Sequence, residues 1–195
     1  ADAAALYEGV GATGWAAHMD ASGTLAVDFS GAVPGITHTQ FGAQRVKDAI
    51  VDQFRDASGQ RPSVDRAAPT LRINVHAARG AVVVAIDLSG DSLHRRGYRG
   101  GQGAAPLKEN LAAAILLRAG WPAIAATGGA FVDPMCGSGT FAIEAALIAA
   151  NIAPGLSRKG FGFERWKQHD AGSWQAIRTE AQSQSAPELL TRGRI

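Results

Sequence analysis

The chain has 195 residues, of which 46% are hydrophobic and 18% are charged, and its formal net charge is +2. This composition is ordinary for a globular protein and argues against intrinsic disorder. The single cysteine, Cys136, excludes an internal disulfide, and without a second thiol or a histidine cluster no metal site is expected. No apolar stretch reaches the roughly 20 residues of a membrane span and no signal-peptide pattern opens the chain, so a cytoplasmic protein is expected.

The first 90 residues predict a small module of strands and one helix. Alternating apolar residues over 25–29 predict a strand, and apolar residues at helical spacing over 43–54 predict an amphipathic helix with a basic shoulder. Two alternating runs, 71–76 and 81–88, predict a hairpin in whose turn Gly80 supplies a positive φ. This mixed order of strands and helix indicates an α+β fold.

A basic, glycine-rich segment follows over residues 91–103. It contains Arg95, Arg96 and Arg99, with Tyr98 among them. The composition fits a solvated linker and an RNA-contacting segment equally well, because runs of like charge are often only exposed surface.

From residue 106 onward the sequence predicts helices around one short strand. A helix over 106–120 has almost no polar face in its middle, which predicts burial between other elements. A buried strand over 130–132, a glycine-rich turn and a helix over 140–150 come next. A final surface helix over 173–184 is predicted, with Ser173 as its N-cap.

The glycine-rich turn, FVDPMCGSGT, carries the sharpest chemical signal in the chain. Gly137 and Gly139 allow the backbone to approach a ligand closely, and the following helix offers free N–H groups at its positive end. Asp133, at the predicted strand end, can hold the amino-acid part of a ligand or a water bound to it. This pattern predicts a nucleotide-like ligand, although strand-to-helix turns in general favour Gly, Ser and Asp.

Two familiar phosphate-binding motifs fit this turn poorly. A P-loop requires a lysine before its Ser or Thr, and the chain has Ser138-Gly139-Thr140 there instead. The glycine spacing does not complete the dinucleotide fingerprint either, which disfavours a nicotinamide cofactor.

A resemblance to THUMP-domain RNA methyltransferases is carried by the segments FGAQRVKDAIVDQF, RPSVDRAAPTLRINVH, IDLSGDSLHRRGYR, APLKENLAAAILLRAGW and VDPMCGSGT. These segments resemble, in particular, the guanine-N2-methylating amino-terminal half of bacterial bifunctional ribosomal RNA large-subunit methyltransferases of the K/L type. The resemblance covers essentially the whole chain. It implies a THUMP-like RNA-binding domain over 1–94 with its amino-terminal part missing, a basic connector over 95–103, and the start of an α/β Rossmann-like methyltransferase domain over 104–195.

The resemblance further implies S-adenosyl-L-methionine as the cofactor. The implied cofactor residues of the turn are Asp133, Pro134, Cys136, Gly137, Ser138, Gly139 and Thr140, and those before it are Pro106, Leu107, Lys108 and Glu109. For Lys108 and Glu109 a charge pair at a helix start is an equal alternative. Cys136 is interpreted as a turn residue rather than a nucleophile, because methylation of an exocyclic amine requires only positioning and an acceptor for the hydrogens of that amine.

Large-subunit (23S) ribosomal RNA is the partner that the resemblance implies. The RNA-binding residues predicted are Arg45, Lys47, Arg61, Arg95, Arg96, Tyr98 and Arg99, since arginines with an interleaved aromatic suit phosphate pairing and base stacking. Arg66, in the loop after the predicted helix, is a further candidate for RNA contact, but a structural role is favoured for it and for Arg72, in local salt bridges with Asp65 or Asp87.

The implied activity is methylation of guanine N2 in 23S ribosomal RNA. The Asn-Pro-Pro-Tyr acceptor motif of the family does not occur in the sequence, so no catalytic residue is assigned and the chain is expected to be an incomplete, inactive fragment. Two alternatives stay open: an RNA-binding module without activity of its own, and an adenine-N6 nucleic-acid methyltransferase. An RNA-binding THUMP portion argues against DNA as the substrate.

Overall fold

The computed structural model describes residues 2–98 and 107–190. The chain divides into two compact units. The first comprises Ala1–Gly90 and Gly160–His169, and the second comprises Asp91–Lys159 and Asp170–Ile195. The chain therefore passes between the units three times. Within the described ranges, no helix has the length and apolarity that crossing a lipid bilayer requires.

The first unit contains a four-stranded sheet covered by two helices. Its strands are β1 (Thr24–Gly31), β2 (Ser63–Val64), β3 (Leu71–Ala78) and β4 (Ala81–Ile86), and its helices are α1 (Ala3–Gly11) and α2 (Thr39–Ser58). The strand order is β2-β1-β3-β4, with β1 parallel to both of its neighbours and β4 antiparallel to β3. Parallel strands require a crossover connection, and α2 lies in the connection between β1 and β3.

Hydrophobic periodicity explains how these elements pack. In β3 the residues Leu71, Ile73 and Val75 are buried while the residues between them are more exposed, so one face of the sheet meets the core. On α2 the apolar stripe that includes Val46 and Ile50 covers this face. The strand predicted over 25–29 and the helix predicted over 43–54 are thus confirmed as β1 and α2. Both elements are longer than the sequence pattern indicated.

The predicted hairpin between β3 and β4 is also confirmed. Its turn consists of Arg79 with φ 51° and Gly80 with φ 75°. Two consecutive positive φ angles are typical of a type I′ turn, whose twist matches that of the two strands.

A segment distant in sequence completes the first unit. Residues 160–169 contain a 3₁₀ turn and then Trp166, whose Nε1 donates to Nδ1 of His18 at 3.1 Å while the two rings stack. Lys167 follows, and its Nζ pairs with Asp20 at 2.7 Å and donates to the carbonyl of Ala16. These contacts attach the segment to the first unit, although it lies within the region that the sequence assigned to the methyltransferase domain.

The second unit is helical in its described part. It contains α3 (Glu109–Arg118), α4 (Trp121–Ala126), α5 (Thr140–Ala149) and α6 (Ala171–Ser183). A small core forms around Leu116, Trp121 and Ala145, where the indole N–H of Trp121 donates to the carbonyl of Ala145 at 2.8 Å. This bond joins the start of α4 to α5.

Two predictions for the second unit were wrong. Residues 130–132 do not form a strand, and Val132 is 80% exposed. An isolated strand leaves its backbone groups unpaired, and no strand of the described second unit is present to pair with it. The middle of α3 is likewise covered on one side only, because Ile115 and Leu117 remain exposed there.

The start of α6 also differs from the prediction. The helix begins at Ala171, and Asp170 is its N-cap, with Oδ1 accepting from the backbone N–H of Gly172 and of Ser173. Asp170 binds two otherwise unpaired donors at once, which explains why it caps the helix in place of Ser173.

Candidate functional site

The glycine-rich turn, residues 133–139 and here called the motif I turn, is an open loop that leads into α5. Oδ1 of Asp133 accepts from the backbone N–H of Met135 at 3.1 Å, and Met135 itself is 89% exposed. Gly137 and Gly139 have φ angles of 53° and 74°, and a Cβ on Gly137 would meet no atom within 4 Å. The turn therefore offers open space beside backbone that favours glycine.

The start of α5 faces this open space without a capping side chain. Gly139 occupies the N-cap position and makes no side-chain capping bond, while the hydroxyls of Ser138 and Thr140 lie 3.2 Å apart. The first N–H groups of a helix have no partner within the helix and carry a partial positive charge. The arrangement can accept a carboxylate or another electron-rich group of a ligand.

Cys136 takes part in closing the turn. Its carbonyl accepts from the N–H of Gly139 at 2.8 Å, and its thiol is exposed, with Sγ 3.8 Å from the carbonyl of Gly137. The first of these bonds is the contact expected of a turn residue.

The residues predicted ahead of motif I lie at the start of α3. Leu107 is half-buried, Lys108 is an exposed N-cap, and Glu109 is buried with 4% of its surface exposed. Because α3 packs against α5, these residues and the motif I turn lie at the N-terminal ends of two packed helices. Pro106 lies outside the described residues.

A buried cluster of charged and polar side chains, here called the Glu144 cluster, consists of Arg96, Tyr98 and Glu144. The hydroxyl of Tyr98 donates to Oε1 of Glu144 at 2.7 Å, and Nε of Arg96 lies 2.9 Å from the same oxygen. Arg96 is 8% exposed and Glu144 is 1% exposed. The cluster therefore holds the segment before residue 99 against the middle of α5.

Burial dominates the ionisation of this cluster. It raises the pKa of Glu144, an effect that the Tyr98 hydrogen bond and the Arg96 charge oppose and that nearby Glu109 reinforces. Burial and the bond to Glu144 also raise the pKa of Tyr98, so its phenol stays protonated and acts as the donor. Sequence reasoning missed the role of Glu144, although a single carboxylate within the apolar helix TFAIEAALIA was the available signal.

The structure corrects part of the predicted RNA surface. Arg96 is buried against Glu144, Tyr98 is half-buried on the same carboxylate, and the carbonyl of Arg96 accepts from the hydroxyl of Ser157. Neither side chain presents its polar group freely to an RNA. Arg95 is exposed, and its carbonyl accepts from Arg158 at 3.0 Å. Arg99 lies outside the described residues.

The remaining predicted RNA contacts lie in the first unit. The guanidinium of Arg45 stacks over the ring of Tyr7 at 4.5 Å, which ties it into the packing of α1 against α2. Lys47 pairs with the neighbouring Asp48 at 2.6 Å, and Arg61 is exposed. Arg45 and Lys47 thus have intramolecular partners, and Arg61 lies at the surface.

Of the two arginines expected to make local salt bridges, Arg72 makes one, whereas Arg66 makes none within the described residues. Nη1 of Arg72 pairs with Asp28 at 2.7 Å and its Nη2 donates to the carbonyl of Arg66 at 2.6 Å. The structural role of Arg72 is confirmed, but its partner is Asp28 rather than Asp65 or Asp87. Asp65 accepts instead from backbone N–H groups of its own loop, which lower its pKa.

Comparison with known proteins places both units in described families. Residues 1–87 match the THUMP domain, and residues 96–193 match the RMKL-like methyltransferase domain. In an alignment of 197 positions the chain is 56% identical to ribosomal RNA large subunit methyltransferase K/L of Pseudomonas aeruginosa. In an alignment of 185 positions it is 58% identical to the protein of that name from Methylococcus capsulatus. The alignments cover 98% and 95% of this chain but 27% and 25% of those proteins, so the chain spans about a quarter of their length.

Solved structures show the same likeness. A protein from Listeria monocytogenes described as a predicted N6-adenine-specific DNA methylase has 33% identity and a TM-score of 0.79. SMU.472, a candidate methyltransferase solved in complex with SAH, has 34% identity and a TM-score of 0.77. Each comparison covers 94% of this chain and 47% of the other.

Proposed function

This chain belongs to the RMKL-like methyltransferase domain family, with a THUMP domain ahead of that domain, and on this premise we propose that the protein containing it methylates guanine N2 in 23S ribosomal RNA with S-adenosylmethionine. The observation that carries the proposal is the motif I turn, where two glycines with positive φ leave open space directly before an uncapped helix. The chain would contribute RNA binding and the first part of the cofactor site, and the protein would act in the cytoplasm.

The residues of the turn fit the methionine end of the cofactor. The N-terminus of α5 suits its carboxylate, and the carboxylate of Asp133 suits its ammonium group or a water bound to it. Gly137 leaves room for the ligand to lie against the backbone, because a Cβ there would meet no protein atom. A second observation supports this cofactor. The solved relative SMU.472 is described as a complex with SAH, the demethylated product of S-adenosylmethionine.

The proposed methyl transfer requires this chain mainly to position the two reactants. Bound S-adenosylmethionine supplies an electrophilic methyl group on its sulfonium. The motif I turn would fix that group in place, Lys108 and Glu109 would close the methionine end, and the first unit would deliver the RNA. Holding two reactants in line accounts for much of the rate enhancement in such a transfer.

Ribosomal RNA is favoured over DNA as the substrate. The curated relatives are named for large-subunit ribosomal RNA, and residues 1–87 match the THUMP domain. The Listeria monocytogenes relative carries an adenine-N6 DNA name, so adenine N6 is the acceptor that an experiment must distinguish from guanine N2.

Nucleoside analysis of methylated RNA makes this distinction. The longer protein that contains this chain would be incubated with protein-free 23S ribosomal RNA and labelled S-adenosylmethionine, and the digested nucleosides would be identified by mass spectrometry. We expect label in N2-methylguanosine, its loss in Asp133→Ala, and its retention in the matched variant Asp91→Ala, whose carboxylate is exposed and outside the turn. Label in N6-methyladenosine would refute the proposal, and so would a parallel incubation in which DNA is labelled and 23S ribosomal RNA is not.

A further inference from the structure

The first unit contains a groove between α2 and the edge of β1, here called the α2–β1 groove. Its volume is about 740 Å³, and its lining combines polar and charged side chains with apolar residues of β1. Gln40, Gln44 and Lys47 extend into it from one face of α2, while Arg66 and Arg72 line it from the loop after β2 and from β3. None of its lining residues belongs to the motif I turn.

The edge of β1 supplies backbone groups to this groove. The short strand β2 pairs only with Thr24 and Leu25, so β1 continues beyond its neighbour on that side. The carbonyl of Leu25 accepts from Asp65 on this edge, and alternate residues of a strand point their N–H and C=O groups to the same edge. Val27 and Phe29 therefore direct their backbone donors and acceptors toward the groove, beyond the end of β2.

The charges in the groove leave a positive surplus. Arg72 is held by Asp28 at 2.7 Å and by the carbonyl of Arg66 at 2.6 Å, so it forms a fixed wall. Within the described part of the chain, the guanidinium of Arg66 makes no ion pair or hydrogen bond. Lys47 has only a partly exposed pair with Asp48, which does not line the groove. Ion pairs at a protein surface contribute little to stability, so Lys47 can leave Asp48 for a phosphate at low cost.

We infer that the α2–β1 groove binds the phosphodiester backbone of single-stranded RNA, an inference that rests on the proposed RNA substrate. Arg66 and Lys47 contact phosphates, and the two glutamine amides and the open β1 edge bond to ribose hydroxyls and base edges. A groove of this volume is in the range of small-molecule pockets and holds about one or two nucleotides. Space for one or two nucleotides suits one unpaired strand better than the two strands of an A-form duplex.

Anisotropy titration of a labelled ten-uridine oligonucleotide into the whole chain tests the inference. Each phosphate contact on a single strand releases about 0.7 counterion, so Arg66→Ala and Lys47→Ala should each weaken binding about fivefold at 0.1 M salt and reduce the salt slope by about 0.7. Arg79→Asn is the control for Arg66→Ala, because Arg79 carries the same charge in the β3–β4 turn outside the groove.

Two glutamine variants with the same added charge distinguish binding in the groove from a general effect of net charge. Gln44→Glu places a carboxylate in the groove, whereas Gln60→Glu adds the same charge to an exposed loop outside it. We expect Gln44→Glu to weaken binding at least tenfold more than Gln60→Glu. A labelled twelve-base-pair RNA duplex should bind all variants alike and more weakly than the single strand does to the unmodified chain.

Three results would overturn the groove assignment: equal losses in groove and control variants, tighter binding of the duplex, or no binding of the oligonucleotide by the unmodified chain. Titration of S-adenosylmethionine into the same variants keeps the two proposals separate. If the groove test fails but the chain binds S-adenosylmethionine, the proposed methyltransferase function still holds. If the unmodified chain does not bind S-adenosylmethionine, that result counts against the methyltransferase function and not against the groove.

Discussion

Replacing Glu144 with alanine measures what the Glu144 cluster contributes to the second unit. The substitution leaves the guanidinium of Arg96 buried without its carboxylate, and the side chains of the pair are only 10% and 2% exposed, so solvent can screen the pair very little. Removing one partner of a buried ion pair costs about 3–5 kcal/mol. The hydroxyl of Tyr98 also loses its acceptor, which adds to the destabilisation.

Hydrogen exchange followed by mass spectrometry resolves this effect by segment. About 1.4 kcal/mol corresponds to a tenfold change in an equilibrium constant, so protection in α3 and α5 should fall about 10²- to 10⁴-fold, or to the limit of complete opening. Protection in β1 and β3 should remain unchanged, because they belong to the first unit. Glu180→Ala is the control, since this exposed glutamate on α6 should change stability by less than about 0.5 kcal/mol.

The double variant Arg96→Met with Glu144→Leu sharpens the test. Exchanging both members of a buried pair for apolar side chains is often neutral or stabilising, so this variant should recover most of the protection that Glu144→Ala loses. Exchange in Glu144→Ala that matches Glu180→Ala, or a double variant less protected than the single one, would contradict a stabilising role for the Glu144 cluster.

Three further predictions concern the cap of α6, the 160–169 segment and acid pH. Asp170→Ala should destabilise α6 by about 1 kcal/mol and Ser173→Ala by clearly less, as measured by exchange in α6; the reverse order would restore Ser173 as the cap. Trp166→Ala should destabilise the first unit by about 2–4 kcal/mol in denaturant unfolding, because the variant loses the packing of a large aromatic and the bond to His18; an unchanged midpoint would show that the segment contributes nothing. Burial raises the pKa of Asp87, but hydrogen bonds from Ser89, Gly90 and Asn74 outweigh it, and the net pKa is lowered. Its stabilising contribution is therefore present above the unfolded value of 3.8 and is lost as pH falls through the folded pKa, a loss that should be absent from an acid titration of hairpin exchange in Asp87→Asn.

Local patterns predicted the elements of the first unit well. The apolar stripe of α2 and the alternation in β3 each reflect a single buried face, and the glycine at position 80 marked the hairpin turn. The parallel pairing of β1 with β3 was not visible, because pairing between distant strands leaves no local period. The short helix α1, rich in alanine and glycine, was missed for lack of a clear apolar stripe.

The second unit shows where local patterns fail. The apolar run at 130–132 predicted a strand, but a strand requires a hydrogen-bonded neighbour, and the described residues of that unit supply none. The arginine at position 96 reads as surface charge in sequence, whereas the structure pairs it with Glu144, which lies 48 positions later. The motif I turn was located correctly because positive-φ glycines before a helix are a local requirement.

Calorimetric titration of S-adenosylmethionine into this chain, with Asp133→Ala and Asp91→Ala measured beside it, shows whether the motif I turn holds the cofactor. We expect binding by the unmodified chain and by Asp91→Ala, and loss of binding in Asp133→Ala. The absence of binding by an unmodified chain that still melts cooperatively, or equal binding by all three proteins, would contradict the assignment of the motif I turn as a cofactor site.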